Sequence, residues 1–384
     1  MQAYFDNSAT TACDPAVVEL MNDIYTEHWG NPSAMHAKGV DAEGIVRKAK
    51  EQIAKTLKCD RDEIVFTSGG TESNNLAIMG GAFANPRKGR HIITSAVEHP
   101  SVSNVFHHME DLGYETTYIP VDPTGCLRMD ILERSVRADT VLVSVMHVNN
   151  EIGALNDIAR VGKIVKSKDP NILFHVDAVQ SYGKLQIRPK NANVDMLSVS
   201  AHKIHGPKGV GFLYVKKGTR LSPVIYGGGQ QDGIRSGTEN VPGIAGLGLA
   251  AELINTSLEE KTRRMYELRE RFIKGLADIE GVSVNGPMGC EGAPHIVSVS
   301  VDGIKAEVLL HALEEKDIYV SAGSACSTHK RTKSATLTAI GVEPRLLDST
   351  VRFSFCVDTA IDETDYALDV MRQIIPVLRQ FTAR

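Results

Sequence analysis

The sequence predicts an α/β protein, with a large domain built on a mainly parallel sheet and a smaller α+β domain. Between about residues 60 and 215, short β-rich runs alternate with helical patterns, which is typical of a parallel sheet with helices on both faces. After about residue 255, a long charged helix is followed by strands with period-two alternation. We therefore expect residues 13–255 to form the large domain, and residues 1–12 and 256–384 to form the small one.

The large domain is predicted to contain six strands joined by amphipathic helices. The strand-like runs cover residues 63–67, 91–94, 141–145, 172–177, 196–199 and 211–215. Two helices are indicated by apolar residues at helical spacing, namely Ile45, Ala49, Ile53 and Leu57, and then Ile158, Val161, Ile164 and Val165. Each of these helices is expected to bury its apolar face against the sheet.

The small domain is predicted from a charged helix, two strands and a final helix. The charged helix has four apolar side chains on one face, at Met265, Leu268, Phe272 and Leu276. Apolar and polar residues alternate along the strands at residues 297–301 and 351–355. The final helix is marked by Val370, Met371, Ile374, Ile375 and Leu378. We expect the N-terminal segment to fold back onto this domain.

Composition and charge restrict the classes of partner. Lys and Arg total 42 against 47 Asp and Glu, so the net charge of -5 favours neither nucleic acid nor an anionic membrane. A small-molecule substrate or a protein partner is expected instead. The N-terminus lacks a basic, then apolar, signal pattern, and no run of eighteen apolar residues occurs. We expect a cytoplasmic protein.

The cysteines are widely separated and contain no C-x-x-C pair. This spacing argues against a disulfide framework and against a dedicated zinc site, so no metal is expected. At least one of them could instead be a reactive thiol. They are Cys13, Cys59, Cys126, Cys290, Cys326 and Cys356.

The segment at residues 66–76 is the first of three candidate functional clusters. A strand ends there in a small polar turn, with Gly70 and Thr71, which opens a helix. Backbone N–H groups and the positive end of the helix dipole can bind an anion at such a turn. A helix N-cap without any ligand is the alternative, and the turn taken alone favours it.

Asp177 and Lys203 define the second and third clusters. Asp177 ends an apolar strand, where ligands bind in doubly wound sheets, and a protonated pyridine nitrogen would be a suitable partner for a buried carboxylate. An aspartate that caps the next helix is the alternative. Lys203 follows the next strand, and a lysine beside a low-dielectric pocket can form a Schiff base. The alternative is a surface lysine in a turn.

Further motifs occur along almost the whole chain. They are residues 4–11, 30–33, 67–72, 98–99, 146–153, 235–238, 321–326 and 351–354, in addition to the Asp177 and Lys203 clusters. Together these segments resemble the class V aminotransferase family, and within it the cysteine desulfurases of the iron–sulfur-assembly kind. The resemblance implies a homodimeric, fold-type I transferase that depends on pyridoxal 5'-phosphate (PLP).

The resemblance implies a role for each motif residue towards the cofactor. Lys203 would hold the cofactor and transfer protons, Asp177 would pair with its ring nitrogen, and His99 would stack on the ring and act as acid and base. Gln180 and Asn150 would hydrogen-bond its phenolic oxygen. The phosphate would be bound by Gly70 through its backbone, Thr71, Ser200 and His202, together with Thr238 of the other subunit. Locally, His99 is equally well explained as a half-exposed turn histidine.

The substrate is expected to be L-cysteine. Arg352 points away from the apolar face of its strand, so its guanidinium can bind an α-carboxylate, with Asn150 as the second expected substrate-binding residue. A solvent-facing strand arginine is the alternative. By the resemblance, Cys326 would take the substrate's sulfur as a persulfide and leave alanine.

The sequence leaves alternatives for the activity and for the partner. A selenocysteine lyase, or another PLP-dependent amino-acid lyase or aminotransferase, has the same scaffold, and a docking protein without turnover is the non-enzymatic alternative. The acceptor of sulfur would be an iron–sulfur scaffold or a tRNA-thiolation enzyme. Two positions depart from the family pattern: the segment after Cys326 is basic, and Gly70 stands where alanine is common.

Overall fold

The computed structural model describes residues 1–322 and 333–382. The strands are β1 (Ala3–Tyr4), β2 (Ile64–Thr67), β3 (His91–Ser95), β4 (Glu115–Ile119), β5 (Thr140–Met146), β6 (Leu173–Asp177), β7 (Met196–Ser200), β8 (Gly211–Val215), β9 (Val282–Asn285), β10 (Ile296–Val301), β11 (Ile318–Tyr319), β12 (Ser321–Ala322) and β13 (Thr350–Ser354). Cys326 lies outside the described residues.

The helices cover both sheets. They are α1 (Pro15–Glu27), α2 (Ala37–Leu57), α3 (Gly70–Asn75), α4 (Gly81–Phe83), α5 (Pro100–Asp111), α6 (Met129–Ser135), α7 (Ile158–Lys168), α8 (Val241–Asn255), α9 (Leu258–Ala277), α10 (Ala306–Glu314), α11 (Ala335–Ala339) and α12 (Ile361–Thr382). Among the described helices, none is by itself long and apolar enough to cross a membrane, and the bent pair α8 and α9 meets that test only jointly.

The large sheet has seven strands in the order β2-β8-β7-β6-β5-β3-β4. Strands β4, β3, β5, β6 and β7 run parallel, while β8 is antiparallel to both β7 and β2. The α/β class and the mainly parallel sheet are therefore confirmed. The predicted strands are present, and β4 is an additional one. Its sequence, Glu-Thr-Thr-Tyr-Ile, is half exposed at the sheet edge, so it lacks the apolar run that marks a buried strand.

Helices bury both faces of the large sheet. Along β6, Leu173 faces one apolar core, whereas Phe174 and Val176 face the other. The second core also contains Ile53 of α2 and Val165 of α7, as the helical periodicity predicts. Because both faces are covered, the parallel strands have continuous apolar sequences, and polar residues are left for the strand ends. Those ends are where a ligand can bind.

The smaller sheet is antiparallel, in the order β12-β13-β10-β9. Its core includes an aromatic cluster in which the rings of Phe272 and Phe353 have centroids 4.8 Å apart, and Phe5 and Phe355 pack against them. The N-terminus therefore contributes to this core, and β1 pairs in parallel with β11. The boundaries expected between the two domains stay a prediction.

Candidate active site

A cavity of about 470 Å³ opens beside the carboxyl ends of β6 and β7. Most of the residues predicted from sequence meet there: Gly70, Thr71, His99, Asn150, Asp177, Gln180, Ser200, His202, Lys203 and Arg352 all line it. The N-terminal segment adds Asp6, Ser8 and Ala9. The carboxyl ends of neighbouring strands share one edge of the sheet, so residues far apart in sequence come together.

Asp177 is held in place by two hydrogen bonds. It ends β6, is 6% exposed, and accepts a bond from the backbone N–H of Val179 at 2.9 Å. Its other oxygen accepts a bond from the side-chain amide of Asn74 at 2.8 Å. Asn74 is buried in α3 and also donates to Ser101. A carboxylate held this way presents a fixed negative charge to the cavity.

Lys203 occupies a short helical turn directly after β7. Its amine donates to the backbone carbonyls of Ser8, at 2.5 Å, and Ala9, at 2.8 Å. The N-terminal segment thus crosses the mouth of the site and holds the lysine within the cavity. Lys203 is half-buried and lines the cavity, which favours the functional interpretation over a lysine on the open surface.

Lys184 is a second lysine at this turn, and the sequence motifs did not mark it. It is 4% exposed, and its amine donates to the backbone carbonyl of Lys203. Burial, with the charge of Lys203 as the second cause, lowers the pKa of Lys184 to about 7. The amine of Lys184 is therefore a fixed hydrogen-bond donor directly behind Lys203, and it can be charged or neutral near pH 7.

His99 is the N-cap of α5, and the backbone N–H of Ser101 donates to its Nδ1 at 3.1 Å. Burial lowers the pKa of His99, against the opposing effect of Asp177. The ring is thus favoured as the neutral form with its proton on Nε2, which leaves it able to stack and to exchange a proton. The preceding residue, Glu98, is half-buried, and burial of its carboxyl group raises its pKa to about 8.

Arg352 lies on β13, and its guanidinium is 9% exposed. One terminal nitrogen donates to Asp6 at 2.8 Å, and the other donates to the carbonyl of Asn150 at 2.8 Å. Its Nε is buried without a partner among the described residues. The alternative of a solvent-facing arginine is wrong. The pair with Asp6 shows that a carboxylate fits against this guanidinium.

The donors and acceptors of the cavity fit PLP. The side-chain oxygen Oε1 of Gln180 is buried with no partner in the described part of the chain, while Nε2 of Gln180 donates to the carbonyl of Ser8 at 3.0 Å. Gly70 leaves room beside Val179, because a Cβ there would come within 2.7 Å of a Val179 methyl group. Hydroxyl groups and a histidine at one end suit a phosphate, and a carboxylate suits a pyridinium.

His202 belongs to the set expected at the phosphate. Its Nδ1 lies 3.2 Å from the hydroxyl of Thr10. Burial, followed by the charges of Lys203 and Lys208, lowers the pKa of His202 to about 4. The ring is therefore neutral near pH 7 and is suited to donate a single hydrogen bond to an anion.

Thr238 does not line this cavity. It is exposed and borders a separate cavity of about 280 Å³, beside the exposed rings of Tyr25 and Trp29. Nearby, Arg235 donates to Glu72 of α3 at 2.8 Å, which ties the segment to the phosphate end of the site. Its expected role in the other subunit stays a prediction.

A doubly wound sheet with a lysine and an aspartate at one cavity is typical of the fold-type I class of transferases. The chain belongs to the aminotransferase class-V family, whose sequence profile matches residues 3–366. It is 45% identical over 363 residues to a NifS/IcsS protein homolog of Lactobacillus delbrueckii subsp. bulgaricus, with 94% of each chain covered. It is 44% identical over 379 residues to the cysteine desulfurase IscS of Dictyoglomus turgidum, with 98% of this chain and 95% of that protein covered.

Solved structures show the same relationship. A NifS-like protein superposes with a TM-score of 0.92 at 39% identity, over 98% of this chain and 100% of that one. SspA in complex with cysteine superposes with a TM-score of 0.82 at 35% identity, over 93% of this chain and 100% of that one. The family expected from the sequence motifs is confirmed.

Proposed function

We propose that this protein is a PLP-dependent cysteine desulfurase, which removes the sulfur of L-cysteine and leaves L-alanine. The observation that carries the proposal is the convergence of Lys203, Asp177 and Arg352 on one cavity. An amine, a fixed carboxylate and a guanidinium are the groups needed to hold an aldehyde cofactor and an α-amino acid together. Relatives named cysteine desulfurase, matched over 95% and 93% of their own length, support the choice of substrate.

Each side chain has a defined task in this proposal. Bound PLP would supply an electron sink next to the substrate's Cα. Asp177 would bind the ring nitrogen, and Lys203 would hold the cofactor and take the proton from the substrate's Cα. The phosphate would be bound by Gly70, Thr71, Ser200 and His202, and the phenolic oxygen by Gln180 and Asn150. His99 would cover the ring and exchange protons.

Arg352 would bind the α-carboxylate of cysteine, with Asn150 beside it. The guanidinium already holds the carboxylate of Asp6 and the carbonyl of Asn150, so its two terminal nitrogens are fixed in one plane. A substrate carboxylate would share or displace the contact with Asp6, because a guanidinium binds a planar carboxylate bidentately. This pairing orients the Cα towards Lys203.

Cys326 would receive the sulfur as its thiolate. Attack on the substrate's sulfur forms an S–S bond while the C–S bond breaks, and the electron pair of that bond stays with the three-carbon fragment. After protonation this fragment leaves as alanine, and Cys326 carries a persulfide. No external oxidant is needed, because the three-carbon fragment takes up the electron pair of the broken C–S bond.

A homodimer and an acceptor protein in the cytoplasm complete the proposal. Exposed Tyr25 and Trp29 beside Thr238 supply an apolar surface suited to a second copy, as a subunit interface requires. A persulfide must be passed to another thiol, so an iron–sulfur scaffold or a tRNA-thiolation enzyme would be the recipient. The basic residues Lys330, Arg331 and Lys333 would attract an acidic partner.

The proposal is tested by incubating the holoenzyme with L-cysteine and measuring alanine. The wild type should form alanine and carry one additional sulfur on the peptide that contains Cys326, as read by mass spectrometry of alkylated peptides. Cys326→Ser should retain the cofactor and make almost no alanine, because a hydroxyl is a poor nucleophile towards sulfur. The matched control is Cys290→Ser, at an exposed cysteine, which should behave as wild type. Full alanine production by Cys326→Ser would overturn the mechanism.

A further inference from the structure

A second group of ligating side chains lies outside the cavity described above. A ring nitrogen of His205, the sulfur of Cys356 and a carboxylate oxygen of Asp358 all lie within 4.8 Å of one another. From sequence no zinc site was expected, because no C-x-x-C pair is present. These three ligands come instead from two segments far apart in the chain, one directly after the Lys203 turn and one directly after β13.

The ring of His205 is fixed by a hydrogen bond to the backbone. Its Nδ1 lies 3.0 Å from the backbone carbonyl of Ala12 and donates to it, so Nε2 keeps the lone pair. The backbone of His205 is also fixed, since its N–H donates to the hydroxyl of Thr11 at 2.8 Å. Burial lowers the pKa of His205, which favours the neutral ring that a metal requires.

Cys356 is supported by a neighbouring hydroxyl. Thr359 donates to its sulfur at 3.6 Å, and the backbone N–H of Cys356 donates to the Thr359 oxygen at 2.9 Å. Burial raises the pKa of the Cys356 thiol, so the thiol is protonated until a cation displaces the proton. Asp358 is exposed and gives the group access to solvent.

The three side chains open on a cavity of about 440 Å³. Its lining also contains the carboxylate of Glu363 and the ammonium of Lys208. The space admits water as a fourth ligand, and the ligands present are one nitrogen, one sulfur and one oxygen. Tetrahedral sites of this mixed composition select zinc among the common divalent cations, because thiolate and imidazole disfavour magnesium and calcium.

We propose that His205, Cys356 and Asp358 bind a thiophilic divalent cation of the zinc type, with water in the fourth position. A thiolate and a carboxylate balance its two positive charges. The ammonium of Lys208, on the same cavity, repels the cation and lowers its affinity. Since His205 lies between β7 and β8 of the large sheet and Cys356 follows β13 of the smaller one, the bound ion would join the two parts of the molecule.

Zinc bound to the holoenzyme tests the proposal. Purified protein is equilibrated with micromolar zinc, desalted, and analysed for metal and for thermal unfolding. The wild type should retain about one zinc ion per chain and show a higher Tm with zinc than without it. Cys356→Ala and His205→Gln should lose both effects, and Asp358→Asn should weaken them. Asp358 is exposed, so this variant keeps the test decisive if a buried substitution prevents folding.

Two controls separate this site from other thiols. Cys59→Ala removes another partly buried cysteine and should retain zinc as the wild type does. Cys326→Ser removes the thiol assigned to sulfur transfer and should also retain it. The inference is overturned if the wild type retains no zinc, if the His205, Cys356 and Asp358 variants all retain it fully, or if Cys326→Ser alone abolishes retention. These readouts do not depend on the proposed activity.

Discussion

Two lysines meet at the turn that follows β7, and Lys184 is the one that sequence did not reveal. Its amine donates to the backbone carbonyl of Lys203, and burial, followed by the charge of Lys203, lowers the pKa of Lys184 to about 7. Repulsion between like charges is mutual, so a charged Lys184 disfavours a second positive charge beside it. We infer that Lys184 is a positioning residue that acts on the cofactor through Lys203.

Lys184→Met should therefore change spectra as well as rates. Without the neighbouring positive charge, the pH midpoint of the bound cofactor's absorbance should move upward. Turnover of cysteine should fall by about tenfold or more, because the Lys203 turn loses its support. Titration of absorbance between about pH 6 and 9 measures the midpoint. Lys184→Arg keeps a cation and a hydrogen-bond donor, so its pH midpoint should lie close to that of the wild type. An unchanged pH midpoint in Lys184→Met would contradict this inference and would show that Lys184 has only a structural role.

At the scale of elements, the packing of α3 against the end of β6 depends on Gly70 and Val179. A Cβ on residue 70 would come within 2.7 Å of a Val179 methyl group, so the first turn of α3 fits closely over the segment that follows Asp177. Valine has few rotamers with which to move aside. The contact gives a physical reason for glycine at this position.

Gly70→Ala should thus change the free energy of unfolding in opposite directions in two backgrounds. In the wild type it should lower the free energy of unfolding by about 1–3 kcal/mol, the usual cost of overpacking, and weaken retention of the cofactor. In a Val179→Ala background the clash is gone, and alanine is better than glycine in a helix by about 1 kcal/mol, so Gly70→Ala should stabilise. Denaturant unfolding of the four proteins measures the coupling. Additive effects would contradict the packing argument.

At the scale of the whole molecule, Thr238 tests whether the site is completed by a second chain. The side chain is exposed and does not line the cavity of its own chain. If Thr238 reaches the phosphate of the other subunit, a heterodimer of Lys203→Ala and Thr238→Val contains one intact site, made of Lys203 from one chain and Thr238 from the other. If Thr238 acts within its own chain, no intact site forms.

The expected outcome is complementation. Each homodimer should be impaired, and the purified mixed dimer should recover about half of the wild-type rate, as one of two sites in a symmetric dimer would give. Differently tagged chains, refolded or coexpressed, allow the mixed dimer to be isolated. A mixed dimer no more active than the Thr238→Val homodimer would show that Thr238 does not act across an interface.

Much of the fold and several site positions could be predicted because their signals are local. Helices on both faces of the large sheet make its parallel strands apolar throughout, and the change from apolar to polar at Asp177 and at Lys203 marks a strand end. The edge strand β4 was missed for the same reason, because half-exposed Thr116 and Thr117 break the apolar run. The apolar pattern of a strand depends on how much of it is buried, and an edge strand is only half buried.

The sequence by itself determined the family, the class of sheet, and the positions of Lys203, Asp177 and Arg352. The tertiary structure decided their partners: Asp6 for Arg352, the carbonyls of Ser8 and Ala9 for Lys203, and Asn74 for Asp177. Asp6 and Arg352 are 346 residues apart in sequence. The partners of Lys203 are backbone carbonyls, which every residue has, so the sequence does not single them out. Such contacts follow from how the N-terminal segment crosses between the two sheets, and no periodicity or local motif encodes that path.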